Sequence, residues 1–151
     1  KFYLPINYLK SLKNNMNYFW NIPLFMTLSQ QDQENLSDFC QVQHIASGQN
    51  LFLEWDEAQA LYVIQSWTFG VYKEDAAEKK LIATLGFWDI VGEMSFFGHP
   101  PVRNASVLAH TDSIVITLLH FSLAQILEKY PNIHHSLQQI IEERSQKNSQ
   151  K

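Results

Sequence analysis

The 151-residue chain holds one cysteine, Cys40, so it can form no internal disulfide and no cysteine-ligated cluster. A lone thiol suits a reducing compartment. Cationic residues are also scarce: 11 Lys and Arg stand against 15 Asp and Glu, for a net charge of -4. That balance excludes the basic footprint of a surface that grips nucleic-acid phosphates, so any DNA-reading module lies outside this segment. No apolar run approaches the roughly 20 residues that a membrane helix needs. The N-terminus lacks the charged-then-apolar pattern of a secretory signal. Because the chain begins at Lys1 rather than Met, it reads as a piece of something longer, with the cytoplasm as its expected location.

Catalytic and metal motifs are missing too. No Ser or Cys nucleophile sits in a recognisable elbow, and there is no Gly-rich Walker loop. Of the six histidines, His134 and His135 are neighbours about 100° apart on a helix, not the i, i+4 pair that zinc helices use. His44 and His110 fall in expected strands and His120 at a helix start, without ligand spacing to Cys or Glu. The close His-x-His pair and downstream Glu of a cupin-type oxygenase are absent. The expectation is a protein that is not an enzyme, with no metal and no cofactor.

What the chain does have is a core: 46% hydrophobic and 13% aromatic residues. One domain of this length buries about 68–70% of its unfolded surface. Pro5 stands where a helix could start, with Leu9, Leu12, Met16 and Phe19 at helical spacing. Asn21-Ile22-Pro23 breaks it. Ser29 caps a second helix, with Asp32 as its capping-box-like partner and Leu28, Leu36 and Phe39 on its buried side. Cys40 and Val42 alternate with Gln41 and Gln43 as in a strand. Short strands follow at Asn50–Glu54, Leu61–Gln65, Trp67–Lys73 and Lys79–Leu85, with Asp75–Glu78 as a charged turn, and later at Arg103–Ala109 and Ser113–Leu118. Such strands at this spacing indicate a small β sandwich or barrel. The end turns helical: Leu123, Ile126, Leu127 and Tyr130 share a stripe that Pro131 ends, and Ile133, Leu137, Ile140 and Ile141 mark another. From Ser145 to Lys151 the residues are polar. The expected division is a helical connector over 1–21, a domain over 22–144, and a polar tail or linker over 145–151.

Between the strands lies Gly92 to Val107, reading GEMSFFGHPPVRNASV. Gly92 lets the backbone approach a ligand or adopt φ > 0. Glu93, Met94 and Ser95 look like the first turn of a short helix, whose N–H groups favour an anion. Arg103 supplies a planar fork of donors suited to phosphate oxygens, and Pro100 and Pro101 stiffen the return path. One acceptor, one cation and backbone donors suit a phosphorylated sugar, with phosphate on Arg103 and hydroxyl on Glu93. The plainer alternative is an ion pair between Glu93 and Arg103.

Gly-Glu-Met-Ser, ten residues from Glu93 to Arg103, then Arg-Asn-Ala-Ser-Val, resembles the phosphate-binding cassette of the cyclic nucleotide-binding domain. The resemblance runs from about Ile22 to Arg144. It implies a mainly β fold, a double-stranded β-helix or jelly-roll-like β-roll with N-terminal helices and two C-terminal helices. It also implies a site in which Gly92 opens the cassette, Glu93 holds a ribose hydroxyl, Arg103 holds a cyclic phosphate, and amides around Met94, Ser95, Asn104 and Ala105 complete the cradle. The ligand would be cyclic AMP or cyclic GMP, and Asn104, able to donate or accept, does not choose between them. The partners implied are an attached effector module or protein reached through the C-terminal helices, and a homodimer through the terminal helices. Two other readings of the same fold are a β-roll without nucleotide that serves as a protein-interaction module, and the sensor half of a transcription regulator lacking its DNA-binding part.

The chain departs from the family at three turns usually built on Gly, where it has Trp55, Trp67 and Trp88. Either these turns take another conformation or the correspondence shifts by a residue. The rings cap the core or serve as exposed anchors of a protein interface. Phe96, Phe97 and His99 inside the cassette are either packing groups or a narrowing of the pocket.

Overall fold

The computed structural model describes residues 23–38, 40–66, 68–75, 78–87, 89–98 and 100–149. The helix expected from Pro5 to Phe19 lies outside them, as do Trp67, Trp88 and His99. A 3-10 turn at Pro23–Phe25 leads to α1 (Gln30–Asp38). Eight strands follow: β1 (Cys40–Ile45), β2 (Asn50–Phe52), β3 (Ala60–Ser66), β4 (Phe69–Asp75), β5 (Glu78–Leu85), β6 (Ile90–Val91), β7 (Ser106–Ala109) and β8 (Ser113–Leu119). A second 3-10 turn, Glu93–Ser95, follows β6, and the chain closes with α2 (His120–Lys129) and α3 (Pro131–Ser149). The strands form two antiparallel four-stranded sheets, in the orders β1-β8-β3-β6 and β2-β7-β4-β5. This is the β-roll with flanking helices that the sequence implies. No helix of the described residues is long and apolar enough to cross a membrane.

Strand β8 shows why the layers stack as they do. Its residues from Ser113 to Leu118 are all buried, because the first sheet is covered on both faces. Val115 packs between the sheets with Ile45, Ile64, Phe69 and Val107. Its neighbours Ile116 and Leu118 point the other way, onto Leu61, Leu123, Leu127, Ile133 and Leu137. The period of two thus assigns alternate side chains to an inter-sheet core and a helix-side core.

The Ser29 cap forms as expected: the Asp32 N–H donates to Ser29 Oγ at 3.2 Å, and Ser29 Oγ donates to Asp32 Oδ2 at 2.7 Å. Lys129 of α2 adds a bond to Asp32 Oδ1 at 3.0 Å, which ties α1 to α2. The Ser29 bond, and after it Lys129, hold the Asp32 carboxyl below its ordinary range.

Several boundaries differ from the sequence reading. Strand β2 stops at Phe52 because the Leu53 N–H turns back to Asp56 Oδ2 at 3.0 Å. Asp75 and Glu78 pair across β4 and β5, so the first and last residues of the expected charged turn belong to the strands. Strand β7 begins only at Ser106, after a bend at Asn104 and Ala105. Pro131 opens α3 as its first residue, where its missing N–H costs nothing. Helix α3 then runs to Ser149, so the stretch from Ser145 read as a polar tail is helical to that residue.

Trp55 occupies a left-handed turn, with φ 76, and is 77% exposed. The turn keeps the conformation that glycine favours, and the indole neither caps the core nor escapes the strain. A left-handed L-residue costs roughly 1–2 kcal/mol, while glycine there would lose about 0.5–1 kcal/mol to its freer unfolded chain. Trp55→Gly is therefore expected to stabilise the protein by about 0.5–1 kcal/mol, seen as a raised urea midpoint at unchanged slope.

His120 begins α2, its ring 5.0 Å from Phe96 and edge-on to it. Burial first, and the Arg103 charge second, push its pKa down to about 4. An unfolded chain binds the proton near pH 6.5, so below that pH the unfolded state holds more protons until the folded histidine also titrates. Stability should climb with pH between about 4 and 6.5. His120→Gln should flatten that rise in melts recorded across the window.

Candidate functional site

The cassette begins where β6 ends. Gly92 has φ 89 and ψ 2, a left-handed conformation. A Cβ there would also lie 2.6 Å from Arg103 Nη1, so glycine is needed both for the turn and for the close approach. The turn that follows, Glu93–Ser95, is a single 3-10 turn, with the Phe96 N–H donating to the Glu93 carbonyl at 3.0 Å. Ser95 Oγ donates to the Val102 carbonyl at 2.8 Å and closes the loop on its return path.

Glu93 is 1% exposed. Its Oε1 lies 2.6 Å from Arg144 Nη1 of α3, and the same nitrogen donates to the Ile90 carbonyl at 2.5 Å. Its Oε2 is buried and has no hydrogen-bond partner. Arg103, 3% exposed, makes a different set of bonds. Its Nη1 donates to the Gly92 carbonyl at 3.2 Å and its Nη2 to the Ala60 carbonyl at 2.8 Å. The guanidinium lies 4.1 Å from the centre of the Phe52 ring and 5.6 Å from that of Tyr62. Its Nε is buried without a partner. Burial lowers the Arg103 pKa, with Tyr62 and then Asp56 and Glu93 acting in the opposite direction. Glu93 and Arg103 thus satisfy separate partners, and the ion pair weighed between them is not formed.

The bend after Arg103 is held from outside. Lys73 Nζ donates to the Asn104 carbonyl and pairs with Glu54 Oε1 at 3.3 Å. Glu54 Oε2 in turn accepts from the Glu74 N–H at 3.0 Å. A trans peptide sets its carbonyl and the next N–H on opposite sides, so tethering the Asn104 carbonyl turns the Ala105 N–H away from Lys73.

These elements enclose a cavity of about 290 Å³, bounded by Gly92, Glu93, Met94, Ser95, Asn104 and Ala105 on the cassette side. Phe52, Val71, Ile82, Leu85 and Val107 form an apolar wall, Thr84 adds a hydroxyl, and Arg144 reaches in from α3. The volume lies at the lower end for small-molecule sites, and an apolar wall with few polar groups is their usual make-up. Six of the seven expected site residues line the cavity. Arg103 does not; it lies beneath the cassette, against the Phe52 and Tyr62 rings.

Phe96 and Phe97 serve as packing groups. They meet edge to face at 4.8 Å, and Phe97 stacks on His134 of α3 at 5.1 Å. Among the described residues no group of three or more His, Cys, Asp or Glu gathers as a metal would require.

Arg144 is the residue that sequence reasoning missed. It continues the stripe Ile133, Leu137, Ile140 at helical spacing, and a lone cation on an apolar stripe is the signal that could have found it.

Known proteins share this fold. A curated relative, the cyclic AMP receptor protein of Thermus thermophilus, is 24% identical over 123 residues, covering 81% of this chain and 56% of its own length. The crystal structure of the Thermus thermophilus catabolite activator protein superposes with a TM-score of 0.73 at 23% identity, over 84% of this chain and 60% of that one. The chain therefore spans less than two thirds of either protein. The sensor domain of the transcriptional regulator DNR from Pseudomonas aeruginosa superposes at 0.80 and 15% identity, over 93% of this chain and 95% of that one. The family model described as "Cyclic nucleotide-binding domain" matches residues 42–130, more than half of the chain and the whole cassette. On this match, made on a β-roll with the cassette in place, the chain belongs to the cyclic nucleotide-binding domain family.

Proposed function

We propose that the chain is a regulatory module that captures cyclic AMP or cyclic GMP in this cavity and passes its occupancy to an attached module or protein partner. The observation that carries the reading is Glu93 Oε2, a buried acceptor without a donor on the wall of a cavity of about 290 Å³. An unmatched buried oxygen costs roughly 1–3 kcal/mol, and a ribose hydroxyl would supply the missing proton. The amides around Met94, Ser95, Asn104 and Ala105 would receive the cyclic phosphate. Arg103 would act on it either by releasing one of its two carbonyls or by holding Gly92 in place from below. The names of relatives support the class: one is a cyclic AMP receptor protein and another the sensor domain of a transcriptional regulator. On the same grounds we read the chain as non-catalytic, as the ligand-sensing part of a longer regulator, and as one whose terminal helices offer the route to a partner or a second copy.

A second reading is favoured by Trp55, whose 77% exposure in a strained turn suits a protein-docking anchor. A β-roll that binds no nucleotide would use such a surface.

The two readings separate in a thermal-shift experiment. Cyclic AMP or cyclic GMP at about 100-fold above Kd should add about 2.7 kcal/mol of stability, a rise of roughly 5–10 °C for a domain of this size. No rise with either nucleotide would leave the docking reading. Glu93→Gln removes the charged acceptor and should weaken binding by about tenfold or more in calorimetry. Arg103→Ala should weaken binding similarly and also lower the unfolding free energy by about 1–3 kcal/mol, through carbonyls left unsatisfied. A variant less stable but equal in affinity would confine Arg103 to the scaffold.

A further inference from the structure

We infer that the turn carrying Trp55 is a docking site for a cationic peptide segment of a protein partner, an Arg or Lys of that segment lying on the indole and drawn there by Glu57. The inference takes up the docking surface of the second reading above and names its occupant. It holds whether or not the pocket takes a nucleotide.

Two costs meet at one residue. Trp55 is 77% exposed, and alone among the described non-glycine residues it has a positive φ, 76. Glycine would relieve both, and strain kept at a surface aromatic points to a functional contact. Leu53, two residues earlier and 42% exposed, adds apolar surface to the same turn.

The turn is also held still. The Trp55 N–H donates to the Arg103 carbonyl, the Arg103 N–H to the Asp56 carbonyl, and the Ala58 N–H to the Pro101 carbonyl, each at 2.8 Å. Glu57 and Val102 add an antiparallel bridge. The Asp56 carboxylate closes the turn from within, accepting the Leu53 N–H at 3.0 Å. A rigid aromatic on a fixed backbone loses little freedom when a partner docks.

The charge around the ring selects the occupant. No Lys or Arg occurs in the sequence between Lys13 and Lys73. Lys73 is engaged by Glu54 and by the Asn104 carbonyl, and Arg103 is 3% exposed. Asp56 and Glu57 are both exposed. Asp56 offsets part of the buried Arg103 charge, so Glu57 carries the negative field at the surface. An indole face attracts a cation better than any other side-chain ring, and a carboxylate beside it strengthens that attraction while repelling phosphate. Nucleic acids and anionic membranes are therefore disfavoured, and an Arg- or Lys-bearing peptide is favoured.

The test is a selection of random peptides displayed on phage against the full chain, with counter-selection on Trp55→Gly, followed by calorimetry of the enriched peptides made synthetically. Trp55→Gly is expected to be at least as stable as the wild type, so a loss of binding there is not a loss of fold. Trp55→Asn, which also tolerates the turn, should behave in the same way. The enriched peptides should carry Arg or Lys and should bind either variant about tenfold or more weakly. Trp55→Phe should retain part of the affinity, because a weaker ring face remains. Glu57→Lys should weaken binding by about threefold or more, and so should raising salt from about 50 to about 500 mM. Trp55-dependent peptides that lack Arg and Lys, or that are indifferent to Glu57→Lys, would overturn the inference while leaving Trp55 as a docking anchor. Equal affinity for Trp55→Gly, or no enriched peptide at all, would remove the docking surface itself.

Discussion

Glu93 and Arg103 are opposite charges buried in one cassette, and the structure keeps them on different partners. Each would cost several kcal/mol to bury uncompensated, and pairing them would have been the simplest remedy. Arg103 instead bonds to the Gly92 and Ala60 carbonyls, which ties the cassette down onto β3. Glu93 instead pairs with Arg144, which ties the same cassette across to α3. The loop becomes the junction between the sheet and the final helix, and the cavity is the space left beside it. A direct Glu93–Arg103 pair would have closed that space and left α3 without an electrostatic hold on the cassette.

The β-roll makes this separation affordable. The sheet carrying β8 is covered by helices on one side and by the second sheet on the other, so the fold has two cores. Phe52 and Tyr62, stacked with centroids 6.0 Å apart, lie where the roll meets the cassette. Their faces accept the Arg103 guanidinium at 4.1 and 5.6 Å from the two ring centres, a contact that aromatic quadrupoles favour. The ring stack thereby fills the space beneath the cassette, while the side toward α3 stays open.

Much of this was legible in the residues. The Ser29–Asp32 cap could be read because capping chemistry is local. Seven of the eight strands were legible to within a few residues because alternation is local too, while β6, only Ile90–Val91, is too short to alternate. Their ends were less so: β2 stops where Asp56 catches a backbone N–H, and β7 starts late because Lys73 holds the Asn104 bend from another strand. Pro131 was read as a stop when it is a start, since a proline disrupts the helix before it and suits the first turn of the one after. Gly92, Glu93 and the return through Ala105 were legible as a motif. The direction of Arg103 was not, because it is set by rings and carbonyls distant in sequence. Arg144 escaped for the same reason: its role exists only once α3 is packed against the roll.

Helices α2 and α3 are separated by the single residue Tyr130, whose carbonyl accepts from the Ile133 N–H at 3.0 Å. Nineteen residues of helix beyond it make a rod about 28 Å long. A tilt of about 10° at Pro131 would sweep the Ser149 end through about 5 Å. With the fulcrum in the apolar core and Arg144 about two thirds of the way along, the rod works as a lever. The same tilt would carry the backbone at Arg144 about 3 Å from its place, more than its 2.6 Å contact with Glu93 Oε1 could follow without breaking or bending.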